Sequence, residues 1–533
     1  MHNFLSWAQR EPDKVVLIQA ETGESFTARR IAERALRLAQ WLAGQGLKEQ
    51  DTIAILLENR VEIVELVLAA REAGLYAAVI STHLTPAEVQ YIVQDSGAQR
   101  LFVSSSTWAN AEAAHQALGL PCFSVDGDTP GVRSIDELLD AAASLPATDL
   151  STRALGRDLL YSSGTTGRPK GVRKPLFGAQ FRQQTDPEVA NTQRLMQFGE
   201  QTVYLSPAPL YHAAPLRYTL RALDSGGRAV IMRQFNAEFS LACIERFGVT
   251  HSQWVPTMMS RMLKLPDAVR QRFDLSTHRV AIHAAAPCPV PLKLAMLDWW
   301  GDILMEYYAG SEGCGTTLID SAEWRRKPGS VGRAFAGVLH IVDDDGKELG
   351  ANEVGRIYFE KGGEFSYLND AAKTREAMNE HGWATYGDIG YVDEDGYLFL
   401  SDRRADLILS GGVNVYPQEI ENALVAHAAV DEVAVVGVPH EDFGEQPIAV
   451  VVLKPGEMPS EELAHAIAAQ AASHLSKVKW PRRLVFETRL PRLETGKLLR
   501  RVLKERFRGD PDAGYDVRAA LASGVEAGAS SRH

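Results

Sequence analysis

The nine residues Ser162-Ser163-Gly164-Thr165-Thr166-Gly167-Arg168-Pro169-Lys170 carry four hydroxyls, two glycines and two cations. Glycine lets successive backbone N–H groups converge, and a concavity of that kind lined by Ser and Thr hydroxyls suits phosphate oxygens. Arg168 and Lys170 add charge to those hydrogen bonds. The common nucleotide loop needs Gly-Lys-Ser/Thr beginning five residues after its first glycine, and here that position is Pro169, which excludes it. By composition alone, a solvated Gly/Ser/Thr loop is an equal reading.

Further stretches hold reactive side chains. Glu306-Tyr307-Tyr308-Ala309-Gly310-Ser311-Glu312-Gly313 sets a ring, a hydroxyl and a carboxylate after an apolar strand, where a parallel sheet presents its ligands. Such a ring can stack on a base, and a carboxylate beside a hydroxyl can hold Mg²⁺ on phosphates. Asp388 lies in the glycine-flanked turn Tyr386-Gly387-Asp388-Ile389-Gly390, where an Asp ordinarily bonds its own backbone. His212, in Tyr211-His212-Ala213-Ala214, is either a packed histidine or a group beside a ligand. Lys497, in Thr495-Gly496-Lys497, is by itself a solvated cation; where a carboxylate attacks a phosphate, an ammonium between the two anions stabilises the charge that develops.

In this order along the chain, these stretches resemble the signatures of the adenylate-forming superfamily: acyl-CoA synthetases, aryl-CoA ligases, luciferases and the adenylation domains of peptide synthetases. The segment from Asp402 to Glu421 is similar to that family's hinge and the start of its C-terminal domain. The resemblance implies that Ser162, Ser163, Gly164, Thr165, Thr166, Gly167 and Lys170 hold the β- and γ-phosphates of ATP. It places Tyr308 on adenine, Glu306 at the adenine edge, Ser311 where Thr is usual, and Glu312 with Thr165 on Mg²⁺. It assigns the ribose to Asp388 and Arg403, the pantetheine arm of coenzyme A to Gly411 and Gly412, the neighbourhood of the acid carboxylate to His212, and the adenylation step to Lys497. The chain departs from the pattern at Ala309, Tyr386 and Ala405, the last standing where the hinge residue is usually Asp or Lys.

The implied activity is that of an ATP-dependent acyl-CoA ligase. A carboxylate and ATP give acyl-AMP and pyrophosphate, and the CoA thiol then takes the acyl group and releases AMP. Gly362-Gly363-Glu364-Phe365-Ser366-Tyr367-Leu368-Asn369-Asp370 resembles the same region of fatty-acid and bulky-acid CoA ligases, which implies a hydrophobic acid, fatty or ring-bearing. Two other readings stand beside it: an enzyme that loads a carrier protein, and a non-catalytic nucleotide-binding protein.

Periodicity predicts the elements that position these residues. Ile31, Ala35, Leu38, Ala39 and Leu42 form a helical stripe over 27–44, and strands over 52–56 and 76–80 flank a helix over 61–73. The same βαβ rhythm resumes over 202–307, which predicts parallel sheets. The expected fold is α/β: a large N-terminal domain of two α/β layers, one before the phosphate loop and one after, with a small antiparallel β subdomain from Gly329, and a smaller mobile α+β C-terminal domain. The expected boundaries are 1–401 for ATP and acid binding, 402–508 for the mobile domain and 509–533 for a poorly ordered tail. Residues 119–146 take no assignment. The cationic patch Lys479-Trp480-Pro481-Arg482-Arg483 offers itself to CoA phosphates.

At 533 residues with 45% hydrophobic content, the chain exceeds a single core. Its 56 basic and 68 acidic residues leave a net charge of −12, which argues against a large nucleic-acid surface or attraction to anionic membranes. Cys122, Cys243, Cys288 and Cys314 are scattered without metal spacing, as buried thiols of a cytoplasmic protein are. No apolar run approaches the ~20 residues of a membrane helix, and the start of the chain lacks a signal-peptide pattern. The expected partners are the carboxylic acid, ATP and CoA, with a homodimer as the allowed assembly.

Overall fold

The helix Val61–Ala73 carries apolar residues on every side, the pattern of a helix with no solvent face. Its surroundings explain this. Ile63, Val64, Leu66 and Leu68 share one core with Ile53 and Phe102 of one sheet and with Tyr204, Ala229 and Ile282 of a second. The two charges that the helix buries are both paired: Glu65 accepts from Arg34 at 2.9 Å and Glu72 from Arg182 at 2.7 Å. Gly74, at φ 74°, ends the helix in the left-handed conformation that glycine adopts without penalty.

The computed structural model describes residues 3–517 except 128, 130, 143–147, 163–168, 404–405, 411–412, 441–442, 473–474, 476–478 and 493–497; at 141, 142, 162, 402, 403, 413, 414 and 472 it describes the backbone alone. Among the described residues, a parallel six-stranded sheet runs in the order Arg133–Ser134, Cys122–Ser124, Ala98–Val103, Thr52–Leu56, Tyr76–Val79, Arg157–Asp158. The second sheet has 13 strands. Its parallel part joins Val15–Gln19, Arg228–Ile231, Val203–Ser206, His251–Trp254, Val280–His283 and Leu304–Tyr308. From Leu304–Tyr308 onward it continues antiparallel through Thr316–Asp320, Ser330–Ala336, Leu398–Arg403, Asp388–Val392, Gly355–Glu360 and Val338–Val342.

Three expectations change. The antiparallel strands after Gly329 extend the second sheet instead of forming a separate subdomain. The two layers also exchange strands: Val15–Gln19, early in the chain, lies in the second sheet beside Arg228–Ile231. Residues 119–146, left unassigned, contain two short strands and the helix Ile135–Ala142.

The C-terminal sheet orders Val413–Val415, Ile408–Ser410, Gly444–Leu453, Arg483–Glu487 and Tyr515–Asp516, with Val430–His440 also paired to Gly444–Leu453. The last strand is a correction to the expected tail. Tyr515 and Asp516 pair with Leu484 and Arg483, and Val517 is fully buried, so ordered chain continues past 509. The cationic patch is largely spent inside the protein: Lys479 donates to Glu419 at 2.6 Å and Arg483 to the carbonyls of Asp512, Ala513 and Gly514. All four cysteines are free, and Cys122, Cys243 and Cys314 are buried.

Burial also makes the fold sensitive to acid. It holds His212 and His251 down to about 4, His278 to about 3 and His283 well below its ordinary value. The unfolded chain takes up protons at these sites below about pH 6.5 that the folded chain refuses until about pH 4, so stability falls with pH through that window. Glu65 and Asp186, pushed by burial up to about 7 and about 6, and Glu306, which burial also raises, act in the opposite sense. Four groups outweigh three, at roughly 1.4 kcal/mol per net proton per pH unit. The urea midpoint should therefore be lower at pH 5 than at pH 7; a midpoint that rises on acidification contradicts this balance.

Candidate active site

The parallel strands Val203–Ser206, His251–Trp254, Val280–His283 and Leu304–Tyr308 end at one edge, and the loops that follow them line a cleft of about 2350 Å³. Loops beyond the carboxyl ends of parallel strands are where such sheets bind ligands. Ala284, Ala285 and Ala286 form part of the wall, and Ala285 is held at φ 76°, a conformation an alanine adopts only when its surroundings impose it.

The base of the phosphate loop is an antiparallel hairpin. Leu160–Ser162 pairs with Lys170–Arg173, and Lys170 stands opposite Ser162. Residues 163–168, which include Ser163, Gly164, Thr165, Thr166 and Gly167, lie outside the described residues. Lys170 places its ammonium 5.8 Å from the ring centre of Tyr367. Desolvation, with Lys373 adding, lowers its pKa.

Glu312 also lines the cleft, and its Oε1 accepts from the Tyr367 hydroxyl at 2.8 Å. Tyr367 therefore touches both the base of the loop and the expected metal carboxylate. Ser311 offers its carbonyl to Arg217 at 3.5 Å, while Arg217 grips Asp158 through Nη2 at 2.8 Å and Nε at 3.3 Å. This ties the start of the loop hairpin to the Ser311–Glu312 turn. Arg217 and Tyr367 carried no role in the sequence reading, because nothing local distinguishes a helix arginine or a strand tyrosine from a surface one.

Tyr308 is the last residue of its strand and Asp388 the first of another, and the Tyr308 hydroxyl donates to Asp388 Oδ2 at 2.7 Å with both side chains buried. Asp388 is the register partner of Arg403 across Asp388–Val392 and Leu398–Arg403. The sheet thus brings the expected adenine residue and the backbones of both expected ribose residues to one place.

Glu306 also lines the cleft. Its carboxylate is buried and accepts from Lys293 at 2.6 Å, with His283 Nε2 at 3.6 Å. Burial pushes this carboxyl up while Lys293 pulls it back. His212 stands at the N-cap of Ala213–Asp224, edge-on to Tyr211 with ring centres 4.5 Å apart. Burial, with His83 adding, holds it down to about 4, so its ring is neutral at physiological pH.

Gly411, Gly412, Ala405 and Lys497 lie outside the described residues, and the side chain of Arg403 is not described. Residues of the C-terminal portion nevertheless line the same cleft, among them Glu421, Asp431 and Arg500. Lys264 and Asp431 join the two portions directly, with Nζ 2.6 Å from Oδ1.

Among the described residues no cluster of three or more His, Cys, Asp or Glu side chains could hold a metal ion by itself, and no helix is long and apolar enough to cross a membrane. Glu312 fits Mg²⁺ as a hard oxygen donor to an ion whose remaining ligands are phosphate oxygens and water.

The profile of the AMP-binding enzyme family matches residues 4–366, and that of the AMP-binding enzyme C-terminal domain matches 419–497. The chain is 32% identical to the long-chain-fatty-acid–CoA ligase FadD13 of Mycobacterium tuberculosis, over 94% of this chain and 98% of that protein. It is 32% identical to the 2-succinylbenzoate–CoA ligase of Geobacillus kaustophilus, over 92% and 95% of the two chains. Its fold matches the crystal structure of ATP-bound MatB from Rhodopseudomonas palustris with a TM-score of 0.82 at 27% identity, over 95% of this chain and 99% of that one.

Proposed function

Since the chain belongs to the AMP-binding enzyme family as an AMP-forming acid–CoA ligase, we propose that it activates a hydrophobic carboxylic acid, fatty or ring-bearing, through an acyl-AMP intermediate. The observation that carries the assignment of roles is the register of Asp388 opposite Arg403, with Tyr308 bonded to Asp388. It supports a nucleoside seat in which the Tyr308 ring faces adenine and Asp388 accepts from the ribose hydroxyls. The hairpin base at Ser162 and Lys170 holds the two ends of the loop that takes the departing phosphates.

Mg²⁺, when bound to ATP beside Glu312, neutralises phosphate charge. Tyr367, by donating to one oxygen of Glu312, fixes the direction of that carboxylate. His212, neutral, can donate to or accept from the acid without attracting its charge away from the α-phosphate. Lys497 supplies the cation for the adenylation step, and the C-terminal portion, from about residue 402, carries it there. Support for an apolar acid body comes from Phe177, Phe181, Leu195, Met196 and Met258 in the cleft wall, and from the name of the fatty-acid ligase to which the chain is similar.

The test is a CoA-thioester assay with Mg-ATP across fatty, aryl and alicyclic acids, with holo carrier protein as the competing acceptor. CoA thioester with an apolar acid is the expected product; acylation of the carrier alone would reverse the choice of acceptor. In the same assay Asp388→Ala should raise the ATP KM about tenfold or more, the cost of one hydrogen bond to an ionised group. Unaltered ATP kinetics would remove Asp388 from the nucleoside seat.

A further inference from the structure

Tyr161 leads into the phosphate loop on the strand Leu160–Ser162 and stands opposite Gly171 on the strand that leaves it. Its ring lies over that glycine: a Cβ on Gly171 would come 3.0 Å from Tyr161 Cζ and 3.2 Å from the hydroxyl oxygen. A strand glycine often marks such a close approach, and here it lets the phenol pass. Beyond it, the hydroxyl donates to Asp95 Oδ2 at 2.8 Å. Burial, with the bond to Asp95 adding, raises the Tyr161 hydroxyl, so it keeps the proton that it donates.

Asp95 is well anchored. It is the last residue of the helix Pro86–Asp95, whose Val89, Ile92 and Val93 share a core with Leu101 and Val103 of the first sheet. Its other side-chain oxygen serves a different element. Asn369, held at φ 56°, donates through Nδ2 to Asp95 Oδ1 at 3.2 Å and to the Asp95 carbonyl at 2.8 Å. Just before it, Tyr367 pairs with Val172, and the Leu368 N–H donates to the Gly171 carbonyl at 2.8 Å. Tyr367 in turn holds Glu312. One residue thus grips both the strand that enters the phosphate loop and the segment that carries the partner of Glu312.

We propose that Asp95 is a positioning residue for the triphosphate, which holds the phosphate loop and the Glu312 carboxylate at a fixed separation through Tyr161 and Asn369. This rests on the reading of the chain as an acid–CoA ligase that binds ATP in this cleft. Displacing a group by a fraction of its own size is enough to weaken a constellation of this kind. The effect falls on the β- and γ-phosphates alone. AMP lacks them, and the nucleoside seat at Tyr308 and Asp388 is built on other strands.

Titration calorimetry on the full chain, without acid, reads this directly. Asp95→Ala and Tyr161→Phe should each weaken Mg-ATP binding about tenfold, the scale of one hydrogen bond to an ionised group, and leave AMP binding unchanged. Acid-dependent ATP–pyrophosphate exchange should fall in the same variants, while thioester formation from presynthesised acyl-AMP stays close to the wild-type rate. The double variant should match Asp95→Ala, since the hydroxyl acts through that carboxylate. A general folding defect would weaken AMP as well. Equal losses for ATP and AMP, no loss for either, or losses that multiply in the double variant each overturns the role of Asp95 and leaves the ligase reading intact. If Asp95→Ala does not fold, Tyr161→Phe, which keeps the ring over Gly171, decides alone. A wild-type chain that binds neither nucleotide overturns both.

Discussion

Lys497→Ala should reduce acid-dependent ATP–pyrophosphate exchange by about 10²–10³-fold, the scale on which one preorganised cationic or hydrogen-bonding group stabilises a transition state. Thioester formation from presynthesised acyl-AMP should stay close to the wild-type rate. The split follows from the charges. Adenylation drives a carboxylate onto an α-phosphate, and the cation offsets that repulsion as the bond forms. In the second step a thiol meets an acyl-adenylate that is already made, and no second anion has to approach the phosphate. A simple structural defect would slow both halves alike, so equal losses would remove Lys497 from the chemistry.

The second large effect concerns stability. Lys293→Met should destabilise the fold by roughly 3–5 kcal/mol, because it leaves the buried Glu306 carboxylate without its cation. Lys293 and Glu306 meet at 2.6 Å, and the Lys293 ammonium also lies 4.7 Å from the ring centre of Trp324. The double variant Lys293→Met/Glu306→Gln should recover most of the loss, since replacing both charges of a buried pair is often close to neutral. Relative to wild type, the single variant should be least impaired at low pH. Without Lys293 the carboxyl of Glu306 is raised further, so the folded state holds a proton that the unfolded state releases, and acid favours the folded state at this site. Urea unfolding of the wild type and the two variants at pH 5 and pH 8 measures this; a single variant as stable as wild type at pH 8 would show that the pair does not carry the core.

Much of the scaffold can be read from residue periodicity because its strands are short apolar runs between amphipathic helices. Thr52–Leu56 and Val61–Ala73 fall where the pattern places them. The edges are harder to read. Val15–Gln19 pairs with a strand more than two hundred residues later, and no local signal announces a partner at that distance. The merging of the later antiparallel strands into the second sheet escapes for the same reason: the hairpins through Thr316–Asp320 are local, but the pairing of Ser330–Ala336 with Leu398–Arg403 is not.

For the site, the motifs locate Tyr308, Glu312 and Asp388 because each lies in a short stretch of distinctive spacing. They say nothing of Tyr367 or Arg217, which act through neighbours far away in sequence. They set Glu306 beside Tyr308 by spacing, but its bond to Lys293 leaves no mark in that spacing. Charge pairing across a fold is the property that spacing conceals.

The strand Tyr515–Asp516 bears on how this protein would be handled as well as how it folds. It covers Arg483 and Leu484 on the outer rim of the C-terminal sheet, and without it their outward backbone donors and acceptors would face water, open to the same strand of another molecule. Shortening the chain to residue 508, at the natural-looking end of the last helix, would trade a tidy terminus for a self-associating one. A terminus placed after Val517 keeps that rim closed.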